Sequence, residues 1–385
     1  MKKIAIFGST GSIGINTVKI MRLSPDKFKA EILVAFSNAE LLAKQAIELK
    51  PHYVCIVDET KTELLKSLLK GSDTKVLAGV DALHELAKTK VDMAMMAIVG
   101  AAAIIPTVNA IEAGSNIAMA NKECLVCAGN IIMNLAKQNN VNIIPVDSEH
   151  SGLFQVFDSE RPHLIKDVIL TASGGPFRNY SIEQMKTVTK SQALKHPNWV
   201  MGAKITIDSA TLVNKCLEVI EAYHLFPVAA DQIKILVHPE SIVHALVNYR
   251  DGSMLAQLSN PDMQIPISYA LHYPEREILD ELNSLDLAKA AALHFANPDS
   301  NQFKSLKILK SVLSSIDSNS SLVFNIANEV AVDAFLKDKI QFRQITEVIE
   351  EALDKIECKK IDDLDEILEQ IELVKYRSLS YISEL

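Results

Sequence analysis

The sequence predicts an α/β protein with an N-terminal parallel sheet, a central α+β domain and a C-terminal helical bundle. Short apolar runs alternate with helix-like stretches up to about residue 147, the rhythm of βαβ units that place a parallel sheet between helices. From 148 to about 280 strand-like runs surround a glycine-containing loop and a helical stretch, as in a domain built on its own sheet. Beyond Pro298 there is neither glycine nor proline, and apolar residues recur at helical spacing. The predicted boundaries are 1–147, 148–280, a linker at 281–300, and 301–385.

The first six strands are expected at 4–7, 32–36, 53–57, 94–98, 117–120 and 141–146, each a short apolar or β-branched run. Four more are expected at 167–171, 233–237, 242–247 and 254–258, with one helix over 209–224. In the C-terminal part Leu306, Leu309, Val312 and Leu313, then Val323, Ile326 and Val330, then Ile345, Val348, Ile349 and Leu353 trace helical faces.

Composition excludes several classes. The net charge of −9 leaves no basic field for a nucleic-acid backbone. The longest apolar run, 93–105, stops at Pro106, well short of the roughly 20 residues that span a bilayer. The chain starts with a charged pair and enters a strand at once, so no signal or transit peptide is expected. Five scattered cysteines predict reduced thiols and a cytoplasmic protein, with Cys124 and Cys127 as two thiols of one helix.

Glycine is scarce, 13 among 385 residues against a usual share of roughly 7%, so its clusters are informative. Gly8-Ser-Thr-Gly11-Ser-Ile-Gly14 follows the first strand and opens a helix, the Rossmann-like junction at which helix amides receive a pyrophosphate. The spacing is G-x-x-G-x-x-G, so a plain turn is the rival reading. At the end of the second strand, Phe36-Ser37-Asn38 holds no acid to grip a ribose 2′-hydroxyl or repel a 2′-phosphate, and its hydroxyl and amide can donate; NADP is favoured over NAD.

Asp147-Ser148-Glu149 follows a strand, a place where open α/β sheets bind ligands, and two carboxylates around a hydroxyl suit Mg²⁺ or Mn²⁺; a solvated loop or a helix cap before 151–157 is the alternative. Asn214, Lys215 and Glu218 fall on one helix opened by 208–211, with Asn214 and Glu218 on a shared face. The stretch from His196 through Trp199, the only tryptophan, to Gly202 lacks helical or strand periodicity and suits a lid at about 195–205. Ser173-Gly174-Gly175 leaves another strand as a loop able to take a phosphate or simply to turn.

Together these segments resemble the 1-deoxy-D-xylulose 5-phosphate reductoisomerase family. The resemblance rests on GSTGSIG at 8–14, ANKE at 120–123, PVDSEHSG at 145–152, SGGPF at 173–177, HPNWVMGAKITIDSATLVNKCLE at 196–218 and VHPESIVHALV at 237–247. It implies an NADPH- and Mn²⁺- or Mg²⁺-dependent enzyme acting on a sugar phosphate, and a homodimer. Thr10, Gly11, Ser12, Ile13, Ser37, Asn38, Asn121, Glu123 and Gly202 would contact the cofactor. Asp147, Glu149 and Glu218 would hold the metal. Ser148, Glu149, Ser173, His196, Trp199, Ser209, Asn214, Lys215 and Glu218 would contact substrate, and Lys122, Glu149, His196 and Glu218 would be catalytic. The family pattern at 36–38 is glycine, lysine or arginine, then asparagine; here Phe36 and Ser37 depart from it and Asn38 remains. Two other classes fit fewer residues: a plain NADP-dependent dehydrogenase, which leaves Asp147, Glu149 and Glu218 without work, and a nucleotide-sensing binding protein.

Overall fold

The computed structural model describes residues 1–199, 201–290 and 292–385. The chain packs into two units, each described on its own. The first comprises Met1–Cys124, Ile132–Phe154 and Asp262–Asn283, and the second Leu125–Ile131, Gln155–Pro261 and Ser284–Leu385. The expected domain of 148–280 is therefore shared between them, and 262–283 returns to the first unit.

The first unit holds a parallel seven-stranded sheet in the order β4-β3-β2-β1-β5-β6-β7: β1 Lys2–Phe7, β2 Phe28–Ala35, β3 Tyr53–Ile56, β4 Lys75–Ala78, β5 Met93–Met96, β6 Asn116–Met119 and β7 Ile143–Pro145. Six are the expected strands. The seventh, β4, is a four-residue edge strand with alternating exposed and half-buried side chains, so it carries no continuous apolar run to reveal it. Strand order reverses between β1 and β5, and the crevice at their carboxyl ends is the topological switch point of a doubly wound sheet. Ile4, Ile6, Leu33, Val54, Ile56, Met93 and Met95 fill the core beside it, joined by Ile267, Ala270 and Leu271 of the helix Gln264–His272. Lys2 Nζ donates to the carbonyls of Leu271, His272 and Tyr273 at 3.1, 3.2 and 2.8 Å, a cation on the carbonyl end of that helix.

The second unit is built on a four-stranded sheet in the order β11-β10-β8-β9: β8 Ile165–Ala172, β9 Ile233–Val237, β10 Val243–Tyr249 and β11 Met254–Leu258. Its β8–β9 pair is parallel and its other pairs antiparallel. The C-terminal helices are Ser305–Ser314, Ser320–Leu336, Gln344–Lys355 and Leu364–Glu384. Ser320–Leu336 is buried nearly all round because it packs against 344–355 and 364–384 and also against the helices 203–210, 213–225 and 305–314. Within the linker, Val237 bridges Ala296, and Leu287–Ala290 forms a short helix; Ala291 lies outside the described residues. Among the described residues no helix is long and apolar enough to cross a membrane.

One element differs from expectation. Instead of a single helix over 209–224 there are two, Ala203–Ala210 and Val213–Leu225. Thr211 Oγ1 donates to the Ile207 and Asp208 carbonyls at 3.1 Å each, competing with the helix ladder. Leu212 then takes φ +58°, and Ser305 Oγ holds the freed Thr211 carbonyl at 2.6 Å. Cys124 and Cys127 are both buried on the helix Lys122–Gln138, as expected.

His224 lies so close to Gly129 that a Cβ there would stand 2.4 Å from the ring. Burial pushes the His224 imidazole down to about 4 from 6.5, against an opposing pull from Asp317. The unfolded chain therefore takes up this proton first: the stability that neutral His224 contributes is full above the unfolded value and is lost as pH falls from 6.5 toward 4. The urea midpoint should drop between about pH 7 and about pH 5, and His224→Gln should flatten that drop. An equally steep drop in the variant would remove His224 as a cause.

Candidate functional site

At the end of β1 the chain turns at Gly8, with φ +100° and a virtual Cβ 2.5 Å from the Ala97 carbonyl oxygen. A Cβ on Gly14 would stand 2.3 Å from Gly8 O, so both positions exclude every larger residue. Gly11 is the N-cap of the helix Ser12–Leu23, which has no side-chain cap and no acid in its first turn. Thr10, Gly11, Ser12 and Ile13 thus surround a helix N-terminus whose partial positive charge faces the switch-point crevice and suits an anion.

The end of β2 leaves Phe36, Ser37 and Asn38 exposed, Phe36 to 71%. Asn38 caps the helix Ala39–Leu49, its Oδ1 accepting Leu41 N–H at 3.0 Å, so its Nδ2 is the end available to a ligand. Asn121 is more fully committed. Its Oδ1 accepts Cys124 N–H at 2.7 Å and its Nδ2 donates to the Ile98 and Gly100 carbonyls at 2.6 and 3.0 Å. This side chain caps one helix and ties down the loop after β5, a structural duty that sequence reading did not foresee. Glu123 follows in the first turn of the same helix and is buried.

Lys122, also buried, forms an ion pair with Asp147 just beyond β7. Asp147 accepts Ser151 N–H through its carbonyl at 2.8 Å, and Ser148 and Glu149 lie in the first turn of the helix Ser148–Val156. These acids stand at a helix N-terminus, where carboxylates are favoured, the helix beginning at Ser148. Ser148 Oγ donates to Glu149.

In the second unit β8 runs into Ser173, Gly174 and Gly175. Gly175 has φ +64°, and its virtual Cβ is 2.6 Å from Ser209 O, so glycine lets the Ser173 loop pass directly over the end of the helix carrying Ser209. His196 Nε2 stands 2.9 Å from Ser173 Oγ, while His196 Nδ1 accepts the Asn198 and Trp199 backbone N–H groups at 3.2 and 2.9 Å. Nδ1 is thus unprotonated, and Nε2 carries the proton given to Ser173. Burial, then the Arg178 charge, lowers this imidazole to about 4, so it is neutral near pH 7. Trp199 is half-buried, Val200 lies outside the described residues, and Gly202 caps Ala203–Ala210 with nothing near its virtual Cβ.

In the first turn after Leu212, Asn214 and Lys215 both donate to Glu218. The Lys215 and Glu218 side chains are 3% and 1% exposed, which makes this a buried ion pair. That burial sets the pair apart from an ordinary surface Lys–Glu pair. Sequence reading missed a neighbouring network: Asp208, 1% exposed, is held by Lys204 at 2.9 Å and by Asn328 Nδ2 at 2.8 Å. The Lys204–Asp208 spacing of i, i+4 was its only local signal.

The glycine turn at the switch point of a doubly wound sheet defines a dinucleotide-binding protein of the Rossmann class, here joined to a second unit with a hydroxyl- and lysine-lined loop cluster. Family models described as 1-deoxy-D-xylulose 5-phosphate reductoisomerase match residues 4–129, those of its C-terminal domain 143–226, and those of the DXP reductoisomerase C-terminal domain 258–376. The chain is 47% identical to the 1-deoxy-D-xylulose 5-phosphate reductoisomerase of Phocaeicola vulgatus, covering 92% of each, and 45% identical to that of a Thermoanaerobacter species, covering 96% of this chain and 97% of the other. It superposes on the Zymomonas mobilis enzyme in complex with NADPH with a TM-score of 0.93 at 37% identity over 100% of both chains. A DOX-P reductoisomerase in complex with NADPH, fosmidomycin and magnesium gives 0.95 at 38% identity over 100% of this chain and 98% of that one. The chain belongs to the 1-deoxy-D-xylulose 5-phosphate reductoisomerase family.

Proposed function

We propose that this protein converts 1-deoxy-D-xylulose 5-phosphate to 2-C-methyl-D-erythritol 4-phosphate with NADPH and Mg²⁺ or Mn²⁺, a rearrangement by retro-aldol cleavage and re-addition followed by reduction. The observation that carries this reading is the buried Lys215–Glu218 pair beside Asn214. A buried pair gains little net stability once desolvation is counted. It becomes useful where a dianionic phosphate can draw Lys215 and a divalent cation can draw Glu218.

The residues fit both cofactors. The uncapped helix N-terminus and the Cβ-free cradle at Gly8 and Gly14 suit a pyrophosphate, with Asn121 and Glu123 close by in sequence to the β6 end and Gly202 opening the helix after the lid. Ser37 and the Asn38 amide would donate to the 2′-phosphate. Asp147, Glu149 and Glu218 each offer carboxylate oxygens, the donors that hard divalent cations take. When bound, the metal supplies Lewis-acid stabilisation of oxygen charge and NADPH supplies hydride.

The chain's own residues bind, orient and shield. Lys122 pairs with Asp147 and fixes the orientation of that carboxylate. Ser173, Ser209, Asn214 and Lys215 receive the phosphate, and Ser148 the far hydroxyl end of the sugar. Neutral His196 donates from Nε2, so it adds a hydrogen bond without a charge. The 195–205 stretch, with Trp199, excludes water while the rearranging carbon skeleton is exposed. In this scheme 1–147 handles the cofactor, 148–280 the chemistry and dimerisation, and 301–385 supports the catalytic part.

Two finer readings accompany it. β11 is a sheet edge with Met254 and Leu255 each 50% exposed, and pairing of two such edges about a two-fold axis would give the homodimer. Reduced cysteines, expected from their scatter along the sequence, favour a cytoplasmic location.

Purified protein should oxidise NADPH on addition of 1-deoxy-D-xylulose 5-phosphate and Mg²⁺ or Mn²⁺, and stop when a chelator is added. Oxidation that continues undiminished with chelator would contradict the metal's part.

A further inference from the structure

The 196–199 stretch is anchored from two sides within the second unit. His196 meets Ser173 at 2.9 Å, and Asn198 Nδ2 donates to Ser241 Oγ at 2.9 Å and to the Pro239 carbonyl. The second anchor uses no residue of the proposed chemistry. Ser241 has φ +54°, a left-handed conformation unfavourable for any residue with a Cβ.

His238, fully buried, holds that turn. Its carbonyl accepts Ser241 N–H at 3.1 Å, and its ring Nε2 accepts the next two backbone donors, Ile242 at 3.2 Å and Val243 at 3.1 Å. A ring nitrogen that accepts carries no proton, so the proton of neutral His238 sits on Nδ1. That atom is 2.9 Å from the His294 carbonyl and 3.1 Å from Glu240 Oε2. Glu240 in turn accepts the His294 backbone N–H at 3.2 Å and lies 2.6 Å from its ring Nδ1. Phe295 stacks on the His238 ring, centroids 4.6 Å apart and planes at 10°.

We propose that Glu240 is a positioning residue for the closing loop: it clamps the 294–296 segment and the Nδ1–H tautomer of His238, and so keeps the turn at Ser241 in the shape on which Asn198 docks. The proposal rests on the reading of 195–205 as a lid. All the groups facing the carboxylate are donors, and glutamine at 240 would turn an NH₂ toward one of them.

The test uses the full chain as wild type, Asn198→Ala, Glu240→Gln and the double variant. Trp199 is the only tryptophan, so acrylamide quenching of its emission reads the loop without requiring turnover. Each single variant should raise the quenching constant and raise KM for the sugar phosphate about fivefold, the scale of one or two lost hydrogen bonds, with kcat changed less. The double variant should be no worse than Asn198→Ala, because Glu240 acts through that dock. His294→Ala, whose side chain is 71% exposed, should shift quenching the same way and guards against a folding defect in Glu240→Gln. Unchanged quenching in the single variants, or effects that multiply in the double, would overturn the proposal. Absence of turnover in the wild type would sink the functional reading instead, and the quenching series would still decide the anchor.

Discussion

Glu218→Gln should lower kcat about a thousandfold while leaving NADPH affinity within about twofold, because a metal ligand that stabilises developing oxygen charge is worth about 4 kcal/mol in the transition state. The substitution keeps the side chain's size and its hydrogen bond from Asn214, so packing is preserved. It removes the charge that balances Lys215. Lys215 then has less holding it back from the substrate phosphate, and KM should change little or fall. Measured kcat, KM and NADPH affinity separate the cases: a variant with wild-type kcat would take Glu218 out of the metal set.

Gly14→Ala should abolish NADPH binding and destabilise the first unit. Helix propensity alone favours alanine over glycine by about 1 kcal/mol. Here the added Cβ would lie 2.3 Å from Gly8 O and 2.4 Å from Ser9 Cα, both backbone atoms that cannot swing aside. Overpacking of this kind costs about 3 kcal/mol or more, so the clash wins over propensity and the turn must open. The lost helix-terminus geometry should weaken NADPH binding at least about a hundredfold, from about 3 kcal/mol of misplaced amides. Fluorescence titration with NADPH and urea unfolding read the two effects; alanine tolerated in both would show that the turn is looser than its backbone distances indicate.

What was legible in the sequence is what depends on neighbours along the chain. Continuous apolar runs revealed the buried strands of the parallel sheet, and the absence of glycine and proline revealed the C-terminal helices. The edge strand β4 was not legible because an edge needs no buried run. The break at 211–212 was hidden because Thr211 and Leu212 are ordinary helix residues until a threonine hydroxyl and Ser305, 94 residues away, take the carbonyls. The Lys215–Glu218 contact could be foreseen from its spacing but its burial could not, since that is set by the surrounding helices. Lys122–Asp147 and Asp208–Asn328 join distant segments and leave no periodic trace. Asn121 was chosen as a cofactor contact from the resemblance, and its side chain's work as a helix cap and loop tie left no trace in the sequence pattern.

The central claim is that reduction is coupled to a skeletal rearrangement, and the methyl signal in the proton NMR spectrum of the product tests it most directly. The rearranged product carries its methyl group on a carbon without hydrogen, so the account predicts a singlet in the alkyl region, one equivalent per NADPH consumed. Simple reduction of the substrate ketone would leave the methyl beside a CH–OH and split it into a doublet. A doublet would contradict the account and return the chain to a plain dehydrogenase.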